Sequence, residues 1–278
     1  MSLVAIAEKD LQDTVRSRGM LILVALFSLL VAVFAAVFRP GGPSGQFATE
    51  VLLSFAVGPF LVTTLVPLVG VVVGYNAVSG ERESGSLKLL LSLPHSRADV
   101  VFGKVAGRGA ALSLAVFTGF LLPAVVLIGL SQFGQLSTFN AGAYLGYTVF
   151  AAVLGVVFVA IAVGCSAAAA TQRQALIGGV SIYVLFVLLW GAITGQFLGA
   201  AGDAGLIDPL PVSQQQISVF LQVANPITGV ELLSNAFLGE QLFSGEGVNQ
   251  QISAVSMLVF WTIAPPLAGL WRFDGDDL

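Results

Sequence analysis

Charge is what this sequence has least of. Only 9% of its 278 residues are Asp, Glu, Lys or Arg, where soluble domains carry about a quarter, and its mean hydropathy is +0.95. That excludes a soluble core under a hydrated surface. The unit to look for is instead a run of about 20 apolar residues, enough to cross roughly 30 Å of hydrocarbon. Cysteine is nearly absent too: Cys165 stands alone in an apolar run, so no intrachain disulfide and no CxxC or Cys/His metal pattern exists. The one histidine, His95, sits beside Pro94 and reads as a helix-start or interface residue rather than a general base or ligand. No HExxH, GxSxG or GxxxxGK[ST] occurs. The chain thus holds no hydrolase site and no phosphate cradle, and any uphill transport would draw its energy from another subunit. No cofactor, metal or nucleic acid is expected on this chain.

What is present is a series of charge-free stretches. They predict an all-α polytopic membrane protein with six transmembrane helices near 20–38, 54–79, 109–130, 144–171, 175–198 and 252–271, in one membrane domain over 1–278. The polar, Gly-containing run at 131–142 separates the third span from the fourth. Ahead of the first span, Val4, Ala7, Leu11 and Val15 recur at helical spacing among Glu8, Lys9, Asp10, Asp13 and Arg16. Residues 1–19 therefore read as an interfacial amphipathic helix, the alternative being a solvated extension of the first span. AVFAA at 32–36 loosely resembles a cleavage site, but the acidic residues before it and the length of the apolar run predict a retained N-terminus.

The basic residues fall on one side. Lys9, Arg16, Arg18, Arg82, Lys88, Arg97, Lys104, Arg108, Arg173 and Arg272 share alternate connections and termini, against Arg39 alone in the others. The positive-inside rule then places both termini and the 80–108 loop in the cytoplasm of a multi-pass cell-membrane protein. The 199–251 loop, with no Lys or Arg but with Asp203, Asp208, Glu231, Glu240 and Glu246, lies outside and accounts for the pI near 4.9. Within it, 217–243 is apolar enough for one or two short helices that dip into the membrane without crossing. A seventh span there would bury Glu231 and move the tail to the other side. The interiors of the six spans hold no Asp, Glu, Lys, Arg or His, which argues against an ion-coupled carrier, since such groups mark ion pathways. Gly70/Gly74, Gly142/Gly146 and Gly191/Gly195/Gly199 are spaced for close helix approach, and Pro59, Pro67, Pro123, Pro265 and Pro266 predict bends.

Residues 79–108, SGERESGSLKLLLSLPHSRADVVFGKVAGR, hold much of the scarce charge. The reading is that Glu81, Arg82 and Glu83 break into water and that Ser84 or Ser86 caps a short helix. Leu87, Leu90 and Leu91 give that helix an apolar face, and Pro94 ends it. Ser96 with Asp99 fits a looser capping box. Arg97, Lys104 and Arg108 form a basic stripe on the next helix, placed to reach lipid phosphates at the membrane surface or an acidic partner. A capped leucine helix exposed to water favours protein docking, with the membrane surface as competitor.

The run GERESGSLKLLLSLPHSRADVVFGK at 80–104, with AEKDLQDTVRSRGMLIL at 7–23, resembles the type-2 ABC transporter permeases. Within them the likeness is to the permease subunit of the nitrous oxide reductase maturation (copper-site assembly) transporter and its archaeal relatives. The resemblance implies that the short helix is a coupling helix seated in a cytoplasmic ABC ATPase, which holds ATP and Mg. Glu81 and Glu83 would form its acidic start, Gly85 and Leu87 the first turn, Leu90 and Leu91 the buried face, and Pro94 with Arg97 the exit. It also implies a homo- or heterodimer of six-span subunits and, as the expected function, ATP-driven export. A membrane anchor or assembly scaffold without transport is the alternative.

Overall fold

The computed structural model describes residues 3–37, 48–87, 96–133, 139–207 and 211–275. All regular structure among them is helical. Helix α1 (Leu3–Val15) breaks at Arg16 and Ser17, and the Ser17 hydroxyl accepts from the Met20 N–H at 3.1 Å to start α2 (Arg18–Val37). After residue 48 the chain forms a short turn of helix, Thr49–Leu52, and then a π-helical stretch, Leu53–Val62, that contains Pro59. Proline has no N–H to give, so the wider π spacing falls where the ladder is already interrupted. The stretch runs into α3 (Thr63–Gly74), where the Thr63 hydroxyl donates to the Pro59 carbonyl at 2.8 Å. A turn at 75–78 leads to the short α4 (Ser79–Ser84), which Gly85 ends at φ +75°, a left-handed conformation natural to glycine.

Helix α5 (Arg97–Gln132) opens on the expected capping box: Ser96 Oγ accepts from the Asp99 N–H at 3.0 Å, and the Asp99 carboxylate accepts from the Ser96 N–H at 3.1 Å. Because that box sets its start, the helix begins a dozen residues before the charge-free stretch. Asn140 caps α6 (Ala141–Ala168) and Thr171 caps the helix beginning at Gln172, called α7 (Gln172–Asp203), which has a π-helical segment at Leu185–Leu189. Then come α8 (Gln214–Ala224), α9 (Pro226–Leu238) and α10 (Val248–Asp274). Among the described residues six helices are long and apolar enough to cross a membrane: α2, α3 continued through α4, α5, α6, α7 and α10.

Helix α6 is the axis of the fold. Helices α3, α5, α7, α9 and α10 all pack on it, and Leu154, Phe158, Ile161 and their neighbours are fully buried. Close approach depends on missing side chains: a Cβ on Gly164 would sit 2.4 Å from the Pro265 carbonyl of α10, and one on Gly269 would sit 2.3 Å from the Gly164 carbonyl. Gly70 and Gly74 of α3 likewise lie against Phe158 and Ala162. By contrast, a Cβ on Gly191, Gly195 or Gly199 of α7 would meet no neighbouring element within 4 Å.

Helices α8 and α9 form a hairpin bent by 94°. Gln214 lies beside Leu198, Trp190 Nε1 donates to the Leu221 carbonyl at 2.9 Å, and Asn225 Nδ2 donates to the Phe186 carbonyl at 2.9 Å, so α8 descends antiparallel along α7. At the tip, Trp261 from the middle of α10 donates to the Ala224 carbonyl. Helix α9 then climbs past Phe150 to the level of Gln251, whose side chain bonds Gln241 and Phe243. The hairpin thus enters and leaves at one end of the bundle, with its tip near mid-depth.

Candidate functional site: the root of the 80–108 loop

The segment Val78–Glu83 is bonded to four other parts of the chain. Ser166 Oγ in α6 accepts from the N–H groups of Val78 and Ser79, each at 3.0 Å, and lies 3.0 Å from the Ser79 hydroxyl. One hydroxyl thereby satisfies two backbone donors at the start of α4, which have no partner within the helix. Arg82 donates to the carbonyls of Ala169 (2.9 Å) and Ala167 (3.4 Å) at the end of α6. Glu83 accepts from the Gln172 backbone N–H and Nε2, both at 2.9 Å, at the start of α7. The expectation that Glu81, Arg82 and Glu83 break into water therefore fails at the half-buried Glu81 and Arg82, while Glu83 stays exposed but is bonded to α7. Unsatisfied helix-end groups of α6 and α7 recruit two of them, and a buried lysine recruits the third.

That lysine is Lys104, 2% exposed. Its Nζ lies 2.7 Å from Glu81 Oε1 and 3.3 Å from Asp10 Oδ1. Arg108, one turn on, donates from Nε to Asp10 Oδ2 at 3.0 Å and from Nη1 to the Val73 carbonyl (2.5 Å) and Asn76 Oδ1 (2.6 Å). Two cations and two carboxylates so arranged nearly neutralise one another. Desolvating any of them alone would cost several kcal/mol. The basic stripe read from the sequence therefore turns inward at Lys104 and Arg108 and meets acids of its own chain rather than lipid phosphate.

Asp10 explains how α1 sits. The inward face of α1 runs through Ile6 and Asp10, while Val4 is 65% exposed. The helix lies along the start of α5, where Gly107 leaves room for the Ala7 carbonyl: a Cβ there would come within 2.5 Å of it. Arg97, the last member of the stripe, donates to the Phe273 carbonyl of α10, and the Phe273 ring lies 4.8 Å from the Arg97 guanidinium and 5.2 Å from that of Arg82. Phe273 is fully buried, so these cation–π contacts are desolvated and at the stronger end of their range.

Of the residues expected to form the coupling element, Glu81, Glu83 and Arg97 are held by these contacts, and Gly85 ends α4. Leu90, Leu91 and Pro94 lie outside the described residues. Leu87 is 1% exposed and belongs to the main apolar core, so it anchors the loop on its own chain. The sequence reading missed Asn76, Ser166 and Phe273 and left Asp10 without a partner. Asp10 carried a signal, a carboxylate one turn from Ile6 on a half-apolar helix. Ser166 and Phe273 carried none.

The chain matches the model of the family described as ABC-2 family transporter protein over residues 4–278. It is similar to two proteins named probable ABC transporter permease protein NosY. The one from Pseudomonas aeruginosa is 33% identical over 185 residues, 66% of each chain, and the one from Stutzerimonas stutzeri is 32% identical over 189 residues, 68% of this chain and 67% of that protein. The match thus spans about two thirds of the length of these relatives. Six long apolar helices, no phosphate-binding loop in the sequence and a family match along nearly the whole chain lead to one conclusion: the chain belongs to the ABC-2 transporter family, as a multi-pass permease subunit.

Proposed function

We propose that this permease subunit is driven by a separate cytoplasmic ABC ATPase that docks on the 80–108 loop, binds ATP and Mg, and powers export of a cargo. Both termini lie in the cytoplasm, residues 1–19 rest at the inner interface, and the α8–α9 hairpin dips into the outer leaflet and returns. The permease works as a homo- or heterodimer.

The observation that carries this reading is the bonding of the loop's root. Glu81, Arg82 and Glu83 connect it to α1, α5, α6, α7 and α10 together. A solvated topological loop needs no such connections, whereas a lever does. A push on the 80–108 loop would reach five helices through bonds of 2.7–2.9 Å, apart from the ring contact at Phe273 and the 3.3 Å bond to Asp10. Packed helices respond to such a push by rigid displacement rather than by yielding.

The test is co-purification in mild detergent with the ATPase partner, followed by measurement of ATP turnover. Leu90→Asp is the informative variant, because a carboxylate in the proposed docking run of leucines would enter a dry contact. The expected result is a correctly inserted permease that no longer retains the ATPase. Retention equal to the parent protein would overturn the docking assignment.

A further inference from the structure

A cleft of about 440 Å³ opens between α7, the α8–α9 hairpin and the start of α3, at the end of the bundle away from the basic residues. Glu231, Trp190, Phe186, Thr63, Thr194 and Gln222 line it. The cleft has two notable chemical properties.

First, it carries an unneutralised acid. The half-buried Glu231 carboxylate has no hydrogen bond or ion pair among the described residues, and no Lys or Arg occurs in the sequence between Arg173 and Arg272. Second, its polar groups have largely committed their protons elsewhere. The Thr63 hydroxyl donates to the Pro59 carbonyl, Thr194 to the Trp190 carbonyl at 2.8 Å, Gln222 Nε2 to Ser218 Oγ, and Trp190 Nε1 to the Leu221 carbonyl. What these four groups still offer a guest is mainly oxygen lone pairs and aromatic carbon, with the second Gln222 N–H and the Thr64, Thr228 and Ser218 hydroxyls as the donors that remain. An anion would meet the Glu231 carboxylate and no Lys or Arg to offset it. A hard metal cation wants six or more oxygens with several carboxylates, and among the described residues no cluster of three or more His, Cys, Asp or Glu exists. A guest with a positive head and an apolar body is satisfied at both ends, by the carboxylate and by the indole and phenyl rings.

We propose that this cleft binds an organic cation of the ammonium or phosphonium kind, with Glu231 as its counter-charge and Trp190 as its apolar wall. That the bound cation is cargo rests on the permease reading above; that it binds does not.

The experiment is equilibrium dialysis of the detergent-purified full chain against radiolabelled tetraphenylphosphonium, with tetraphenylborate as an anion of the same shape. The expected result is saturable binding of the phosphonium, at least tenfold weaker in Glu231→Gln and retained in Glu231→Asp, with the borate at least tenfold weaker on the parent protein. Absence of saturable phosphonium binding, equal affinity in Glu231→Gln, or borate binding as tight as phosphonium overturns the proposal. Should Glu231→Gln lose its monodisperse profile, the comparison of the two probes on the parent protein decides alone. ATPase retention separates this site from the coupling reading: Glu231→Gln keeps the ATPase. A Leu90→Asp protein that still retains the ATPase while binding phosphonium would remove the cargo role and leave the binding site standing.

Discussion

Lys104 shows how much depends on a single side chain in so uncharged a protein. It sits between Asp10 of α1 and Glu81 of α4 with almost no exposed surface, so replacing it strips Glu81 of its cation and leaves Asp10 to Arg108 alone. Breaking one side of a buried ion network is destabilising by about 3 kcal/mol. Lys104→Met is therefore expected to lower the thermal midpoint in detergent, read by intrinsic fluorescence. Adding Glu81→Gln should recover part of the loss, because the second charge is removed with the first. A double variant no better than the single would place the cost of Lys104→Met in packing rather than charge. Ser166 is a second such position. Ser166→Ala removes the acceptor of two buried N–H groups, at a cost of about 1–3 kcal/mol each if left unsatisfied, and the same melt should register it.

Among the elements, some were legible in the sequence and others were not, and the difference is physical. The six apolar runs and the capping box at Ser96 are local signals: each is complete within a few turns of chain. The pairing of Gly70 and Gly74 with α6 was also signalled, by spacing alone. The similar spacing of Gly191, Gly195 and Gly199 signalled nothing that the described residues use. The root of the loop was misread because most partners that decide its fate are remote: Ser166, Ala169 and Gln172 lie almost ninety positions downstream and Phe273 is farther still, while Lys104, 23 positions from Glu81, is the near one. A local reading of Glu81, Arg82 and Glu83 sees three charges and assigns them to water. The hairpin gives a prediction at this scale. Its two ends lie at one end of the bundle, so in a Cys165→Ala background Ser213→Cys and Gly239→Cys should both react with a membrane-impermeant maleimide from outside intact cells. Labelling from opposite sides would make the pair a seventh crossing. The contact between α6 and α10 gives another: Gly269→Val drives a side chain into the Gly164 backbone, and overpacking of this kind costs about 1–3 kcal/mol, a loss that should appear as a lower melting midpoint.

For the whole molecule, the separation of chemistry between the two ends of the bundle matters most. Charge is gathered and neutralised at the end that carries the 80–108 loop, and left unneutralised in the cleft at the other. Helix α6 connects them: its last turns hold Arg82 and Val78, while its first turns carry Tyr147 and Phe150 beside the hairpin. Displacement of the loop root can therefore reach the cleft through one packed helix. Glu83 is the bond to test, since it is exposed, contributes little to stability, and connects the loop to the start of α7, which lines the cleft. In Glu83→Ala the ATPase should still co-purify, because no apolar docking residue has changed. Cargo-stimulated ATP turnover should nevertheless fall several-fold, because part of the push is lost before it reaches α7. Unchanged stimulation with an intact complex would show that force passes through Arg82 and α6 alone. Loss of the complex would move Glu83 from the transmitting root to the docking face.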